Sequence, residues 1–339
     1  MSNALTTAPG GPAAGATPRD GGNSGKAAAR KRRPRAGDAA RAGGAALYRR
    51  WWVPLLWVAP AVVAVVTFGI YPFLNTILLS FTNAKPMGGA VRFVGWDNYA
   101  TLLTDSAFWQ STANSLLYLV CVVPLMMLLP LLLAVLVSKQ VRGIGFFRSA
   151  YYLPAVCSTV VVGLAWQMLL ASDGQINTIL TQLRVVQEAL PFLSDRWLIL
   201  FSAMVLTLWK GLGYYMVLYM AALANVEPAL HEAAQTDGAG ALRRFWHITL
   251  PGVRVMMYLV GVLSAIGALR VFTEIYVLGG DKGGPGGLSA TLPFYIRSVG
   301  LDPLAGNLGV GGAASVALFL LTFGFILLSQ KLSAKSEES

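Results

Sequence analysis

Six long apolar stretches, separated by shorter polar segments, dominate the chain from residue 53 onward. We place them at roughly residues 53–80, 114–137, 150–171, 197–224, 253–278 and 308–330. Each approaches or exceeds about 20 mainly apolar residues, the length of helix that crosses the hydrocarbon core of a bilayer. Several stretches contain proline, which membrane helices tolerate because neighbouring groups satisfy the freed carbonyls. The pattern therefore predicts an all-α, polytopic membrane protein with six transmembrane helices.

Composition strengthens this interpretation and removes others. The 339 residues are 55% apolar and 12% charged, with a mean hydropathy of +0.60, whereas soluble proteins are about a quarter charged. A soluble two-domain enzyme is thereby disfavoured. Two cysteines and two histidines are too few for a disulfide framework or a four-ligand zinc site. We expect no metal site and no catalytic residues, because the apolar stretches hold no cluster of acids, histidines or metal ligands.

The basic charge is concentrated at the N-terminus. Residues 1–51 carry ten Lys or Arg and two Asp, and they are poor in large apolar side chains. We predict a disordered, basic cytoplasmic tail that contacts membrane lipid. The positive-inside rule then places both termini in the cytoplasm, including a short tail at 331–339, with the membrane domain at 52–330. Because the excess charge lies outside a folded face, no nucleic-acid partner is expected.

The predicted cytoplasmic loop at residues 225–252 has a helical pattern of its own. It joins the fourth and fifth stretches and reads NVEPALHEAAQTDGAGALRRFWHITLPG. Pro228 suits the first position of a helix, and Asp237-Gly238 signals a turn. A second short helix is expected over 241–248, ended by Pro251. This loop predicts two helices outside the membrane with an apolar side suited to docking another protein.

The spacing within this loop resembles the signature of permeases of ABC-type importers. The matching positions are Glu232, Ala233, Ala234, Gly238, Ile248, Leu250 and Pro251. Two further segments, FVGWDNY at 93–99 and Gly-Gly-Pro at 283–285, resemble the carbohydrate-uptake branch of that family, similar to the permeases of maltose and glycerol-3-phosphate importers. The resemblance covers roughly residues 50–330.

The resemblance implies a permease subunit of the bacterial inner, or plasma, membrane that imports a sugar or sugar derivative. It implies a type I importer fold and three kinds of protein partner: a second homologous permease, an ATP-binding cassette ATPase dimer and an extracytoplasmic solute-binding protein. The seven loop residues would then couple the membrane helices to the ATPase. No cofactor is expected on this chain, since ATP and magnesium would bind the ATPase.

Polar and aromatic residues near the centre of the fourth stretch are candidates for the substrate path. They are Thr207, Trp209, Lys210, Gly211 and Tyr214, joined by Ser264 on the fifth stretch. Polar groups are costly in lipid and usually face a wet cavity, and aromatic faces suit the apolar faces of sugar rings. The resemblance to the maltose permease implies sugar contacts at all of these positions except Trp209. Helix packing is the alternative role for them.

Other substrates and energy sources stay open at this point. Two cations near the path, Lys210 and Arg270, leave room for an anionic substrate such as a sugar phosphate. An ion-coupled secondary transporter is a more remote alternative, and it would need buried carboxylates and an inverted repeat. The apolar stretches offer only Glu274, which we place near an interface of the membrane.

Overall fold

The computed structural model describes residues 52–138 and 142–337, with side chains up to residue 331. The predicted tail at 1–51 lies outside the described residues. The chain divides into two compact units, one up to Ala64 and one from Val65 onward. The described residues form helices and connecting turns, plus one isolated β-bridge between Thr82 and Phe93. The helices are α1 Trp52–Val65, α2 Tyr71–Leu79, α3 Asp97–Thr104, α4 Ser106–Val137, α5 Ile144–Val156, α6 Thr159–Leu170, α7 Gln175–Gln182, α8 Arg196–Leu223, α9 Pro228–Thr236, α10 Ala241–Arg244, α11 Leu250–Gly252, α12 Arg254–Leu269, α13 Thr273–Gly279, α14 Leu292–Leu301 and α15 Leu308–Glu337.

Four described helices are long and apolar enough to cross a membrane. They are Trp52–Leu79, Ser106–Val137, Arg196–Leu223 and Leu308–Lys331, and they correspond to the first, second, fourth and sixth predicted stretches. In the first of them, a π-helical turn at Val66–Ile70 joins α1 to α2. Two bent helix pairs raise the number to six if each pair counts as one span. The all-helical membrane fold is thus confirmed, while the count of six spans stays a prediction.

The third predicted stretch is not one continuous helix. Helix α5 ends at Val156 and α6 begins at Thr159, and the two segments meet at an angle of 99°. Cys157 and Ser158 between them have extended backbone, with ψ angles of 146° and 132°. Pro154 lies inside the last turn of α5, where it removes an amide donor from the helix. An apolar composition alone does not reveal such a break.

The fifth predicted stretch is also interrupted. Helix α12 ends at Leu269 and the seven-residue helix α13 begins only at Thr273. The carbonyl of Val271, in the break, accepts a hydrogen bond of 2.6 Å from the Thr291 hydroxyl. A side chain from a later segment therefore satisfies a backbone group that the break removes from the helical ladder.

Helices α4, α8 and α12 pack together and form much of the core. The hydroxyl of the fully buried Tyr219, on α8, donates to the carbonyl of Met127 on α4 over 2.9 Å. Helix α5 approaches α8 so closely that a Cβ added at Gly213 would overlap the backbone carbonyl of Tyr151. A residue without a side chain is therefore required where these two helices cross.

A glycine-rich loop between α13 and α14 is fastened to the start of α4. The side-chain amide of Asn114 donates to the carbonyls of Leu288 and Ala290, each over 2.8 Å. The hydroxyl of Ser115 accepts a bond of 2.8 Å from the backbone N–H of Leu292. These bonds hold the loop and the start of α14 against α4 despite the flexibility that glycines give the loop.

Asp105 links two elements outside the predicted membrane stretches. Its carboxylate accepts from the backbone N–H of Ala107 over 2.8 Å, which caps the first turn of α4. The same carboxylate accepts a bond of 2.6 Å from the hydroxyl of Tyr295 on α14. Burial, together with this bond and the carboxylate's charge, raises the pKa of Tyr295 well above its usual range. The contact therefore persists as a neutral hydroxyl donating to a carboxylate.

Candidate functional site

A cavity of about 530 Å³ lies among helices α4, α5, α8, α12 and α13. Five of the six residues predicted for the substrate path line it, namely Thr207, Lys210, Gly211, Tyr214 and Ser264. The other lining residues are Val122, Met126, Tyr152, Ala155, Val156, Tyr215, Gly267, Ala268 and Glu274. The structure thus brings the candidates of the fourth and fifth stretches to one place.

Hydroxyl groups lie at the α4 side of this cavity. Thr207, on α8, shares a hydrogen bond of 2.7 Å with the hydroxyl of the fully buried Tyr118 on α4. The bond fixes the Thr207 side chain and leaves its oxygen with further hydrogen-bonding capacity. Thr207 can therefore present a positioned polar group to a solute.

Aromatic rings and a cation form the α8 wall. Tyr214 is 45% exposed, and its ring meets the ring of Tyr215 edge-on at 5.2 Å. Half-buried Lys210 lies one helical turn earlier on the same wall. This combination of ring faces and donor groups can contact both the apolar faces and the hydroxyls of a polyol.

Small residues keep the α12 wall of the cavity open. Ser264 is 4% exposed and donates to the carbonyl of Gly261 over 3.1 Å. Gly267 and Ala268 complete this side of the lining. A Cβ at Gly211, on α8, would displace the flexible end of the Met126 side chain. These residues contribute mainly shape.

Trp209 was predicted to lie on the substrate path, but the structure places it elsewhere. It does not line the cavity, and its ring is tilted against Trp166 at 6.0 Å with 41% of the side chain exposed. At 100° per residue, the residues of α8 that line the cavity fall within an arc of about 140°. Trp209 lies on the opposite side of the helix.

Glu274 is a cavity residue that the sequence did not include among the candidates for the substrate path. The break at 270–272 starts a new helix, and the first turn of that helix places Glu274 in the lining of the cavity together with Lys210. Its isolation as a carboxylate in an apolar stretch was the signal available in the sequence.

The predicted docking loop has its first helix at Pro228–Thr236, with proline in the first turn. Glu232 and Ala233 are exposed on this helix, and Ala234 is half-buried. Glu232 also borders a second cavity, of about 760 Å³, together with His231, Gln235, Arg148 and Arg244. The first helix thus presents a carboxylate beside a recess in the rest of the protein.

The second half of the loop differs from the expectation of one short helix ended by Pro251. Helix α10 covers only Ala241–Arg244, a π-helical turn follows at Phe245–Thr249, and α11 continues through Pro251 to Gly252. Pro251 lies inside this continuous helical run, where it has no backbone N–H to donate to the preceding turn. It is exposed, whereas Ile248 and Leu250 are half-buried. Some residues of the permease signature are therefore exposed to a partner, and others pack partly against the rest of the protein.

Gly238 forms the turn after α9 with a φ of +75°, and a Cβ there would meet no atom within 4 Å. The requirement for glycine is therefore one of backbone conformation. We expect Gly238→Val to lower transport strongly, because a left-handed residue costs about 1–2 kcal/mol and most for a β-branched one. Gly238→Asn should retain most transport, since asparagine tolerates this conformation. Uptake at equal amounts of membrane-inserted protein measures both; equal damage by the two would contradict a conformational role.

Comparison with known proteins identifies relatives along most of the chain. The family described as "Binding-protein-dependent transport system inner membrane component" matches residues 106–332. The lactose transport system permease of Rhizobium radiobacter is 31% identical over 245 residues, which covers 72% of this chain and 82% of the relative. The arabinooligosaccharides transport system permease of Bacillus subtilis is 32% identical over 84% of this chain and 90% of its own length.

Solved structures show the same fold. A chain from a bacterial ABC transporter that imports the acidic polysaccharide alginate has a TM-score of 0.73 and 21% identity, covering 85% of this chain and 97% of that one. A second structure of a bacterial alginate transporter, in complex with a pentasaccharide-bound periplasmic protein, has a TM-score of 0.71 at 23% identity, covering 84% and 94%. The family match spans well over half of the residues, so the chain belongs to the inner membrane components of binding-protein-dependent transport systems, which are transport proteins rather than enzymes.

Proposed function

We propose that this chain is the permease subunit of an ABC importer that carries a sugar or sugar derivative across the bacterial plasma membrane. The observation that supports this most is the cavity in which Thr207, Lys210 and Tyr214 meet. Ring faces, a hydroxyl and an ammonium group together match the alternating apolar and hydroxyl surfaces of a saccharide. The relatives named for lactose and arabinooligosaccharide transport support the same substrate class.

The energy would come from partner subunits. We propose that an ATPase dimer contacts the loop at 225–252, that a second homologous permease completes the pathway, and that an extracytoplasmic solute-binding protein delivers the solute. Nucleotide binding would shift the membrane helices between inward-facing and outward-facing states. The exposed face of α9, with Glu232 and Ala233, would carry this motion to the cavity wall, together with the half-buried Ala234, Ile248 and Leu250, the turn at Gly238 and the exposed Pro251.

Lys210→Met is expected to weaken the uptake of the transported sugar about 10- to 100-fold, because a hydrogen bond to a charged group contributes about 1.5–3 kcal/mol. The measurement is uptake of radiolabelled lactose, maltose and arabinooligosaccharides by a strain in which the variant replaces the native chain. Lys331→Met, in the C-terminal third of α15 and outside the cavity, is the matched control and should transport normally.

Two results would contradict the proposal. Unchanged affinity of Lys210→Met for every transported sugar would remove Lys210 from the path. Uptake that survives ATP depletion but collapses with a protonophore would show ion-coupled transport, the remaining alternative class.

A further inference from the structure

Lys210 and Glu274 give the cavity one positive and one negative side chain. Lys210 projects from α8 and Glu274 from the first turn of α13, and both line the same space. Each is half-buried, so a solute in the cavity can reach both groups. They are the two charged side chains among the described lining residues, so their formal charges cancel and the lining as a whole is close to neutral.

The other cation considered for the path does not join this site. Arg270 is exposed in the break after α12 and does not line the cavity. Among the described lining residues, the charge of Lys210 is therefore balanced by that of Glu274, and no second cation adds to it. An excess of positive charge, which an anionic substrate would favour, is absent from this part of the described chain.

Glu274 lines the same cavity as Thr207, whose hydroxyl shares a hydrogen bond with the Tyr118 hydroxyl. A carboxylate has two oxygens and about four acceptor sites, so it can accept bonds from two neighbouring hydroxyls of one sugar ring. The same carboxylate repels a phosphate, sulfonate or carboxylate on a solute, and does so more strongly in a partly desolvated cavity than in water.

We infer that Glu274 is a specificity-determining residue that admits uncharged saccharides to this cavity and rejects anionic ones. The inference rests on the proposed sugar-import function and narrows its substrate class. It predicts an uncharged saccharide as the substrate, whereas Lys210 alone would suggest a sugar phosphate. The carboxylate acts by binding hydroxyls and by like-charge repulsion, and Lys210 supplies the complementary donor.

Direct binding to the intact transport complex tests this inference, because uptake also depends on the solute-binding protein. The complex is purified from its host through a tag on this chain and placed in lipid nanodiscs without the solute-binding protein. The probes are maltotriose and arabinotriose, which are uncharged, and trigalacturonate, which is a trisaccharide of similar size with three carboxylates. Wild type should bind at least one uncharged probe at least tenfold more tightly than trigalacturonate.

Glu274→Gln should reduce that preference at least tenfold, partly by strengthening trigalacturonate binding to the unopposed Lys210. Glu274→Asp keeps the charge and should keep the preference. Asp173→Asn, an exposed substitution outside the cavity, is the control for a general change in charge. Thermal unfolding of each complex identifies any variant that fails to fold, and Glu274→Asp then carries the comparison through its retained preference.

The outcomes separate the two levels of the argument. If wild type binds the uncharged probes and Lys210→Met weakens them, but Glu274→Gln leaves the preference unchanged, the inference is overturned and the proposed function stands. An unaltered preference in the double variant Lys210→Met/Glu274→Gln would also overturn the inference, because it would show that the two charges only neutralise each other. If wild type binds none of the three saccharides, the sugar cavity itself is overturned, and Glu274 loses its role with it.

Discussion

Glu232→Arg is expected to lower transport at least 100-fold, while the chain still inserts in the membrane. Glu232 is exposed on α9, in a helix with few ties to the core, so its replacement leaves the membrane helices undisturbed. If the ATPase contacts this face, reversal of the charge places like charges together in a protein interface, which costs several kcal/mol. The readouts are labelled sugar uptake, the amount of chain in the membrane, and co-purification of the ATPase.

Glu227→Arg is the matched control for this change. Glu227 precedes the same helix, is exposed, and makes no side-chain cap hydrogen bond to α9. It undergoes the same reversal of charge five residues away. Normal uptake by Glu227→Arg beside a loss in Glu232→Arg would assign the effect to one position of the loop. Equal loss in both would reduce it to the overall charge of the loop, and wild-type uptake by Glu232→Arg would exclude coupling through that residue.

Gly213→Ala is expected to have the largest effect on stability. The added Cβ would overlap the Tyr151 carbonyl and lie about 2.6 Å from the Tyr152 Cα, so backbone rather than a flexible side chain must move. Overpacking costs about 1–3 kcal/mol, and occasionally more, against a gain of up to about 1 kcal/mol in helix propensity. We expect the melting temperature of the purified complex to fall by roughly 2–4 °C, with less chain reaching the membrane.

Gly324→Ala supplies the contrast. Gly324 also lies inside a long helix, but a Cβ there would meet nothing within 4 Å. The same chemical change should therefore be neutral or slightly stabilising. If both variants lose stability equally, the close crossing of α5 and α8 is not the cause. If Gly213→Ala is as stable as wild type, the two helices do not cross as closely as the structure has them.

The apolar pattern predicted the helical membrane fold but not the breaks in it. Hydropathy averages over about 20 residues, so a single extended residue such as Cys157 leaves it unchanged. Pro154 was visible, yet Pro124 and Pro130 lie inside the unbroken helix α4, and proline alone therefore does not locate a break. What distinguishes the broken segments is tertiary, as when Thr291 binds the freed carbonyl of Val271.

The candidate site followed from the sequence where helical geometry was regular. Thr207, Lys210, Gly211 and Tyr214 recur at spacings of three and four residues, which places them on one side of α8. Trp209 falls outside that spacing, and its chemistry alone suggested the site. Glu274 was not among the predicted candidates, because its place in the cavity depends on a helix break that the residues before it do not announce.

The short helix α13 has a consequence for how such transporters diverge. Only seven residues long, it carries Glu274 on its first turn and packs through Val277 against Gly163 of α6, where the separation from an added Cβ is 3.0 Å. Ile275 and Leu278 of the same helix are buried in the core, so the helix as a whole cannot be exchanged freely. Substitution at Glu274 alone leaves that packing intact and gives evolution a route to a different substrate without rebuilding the bundle.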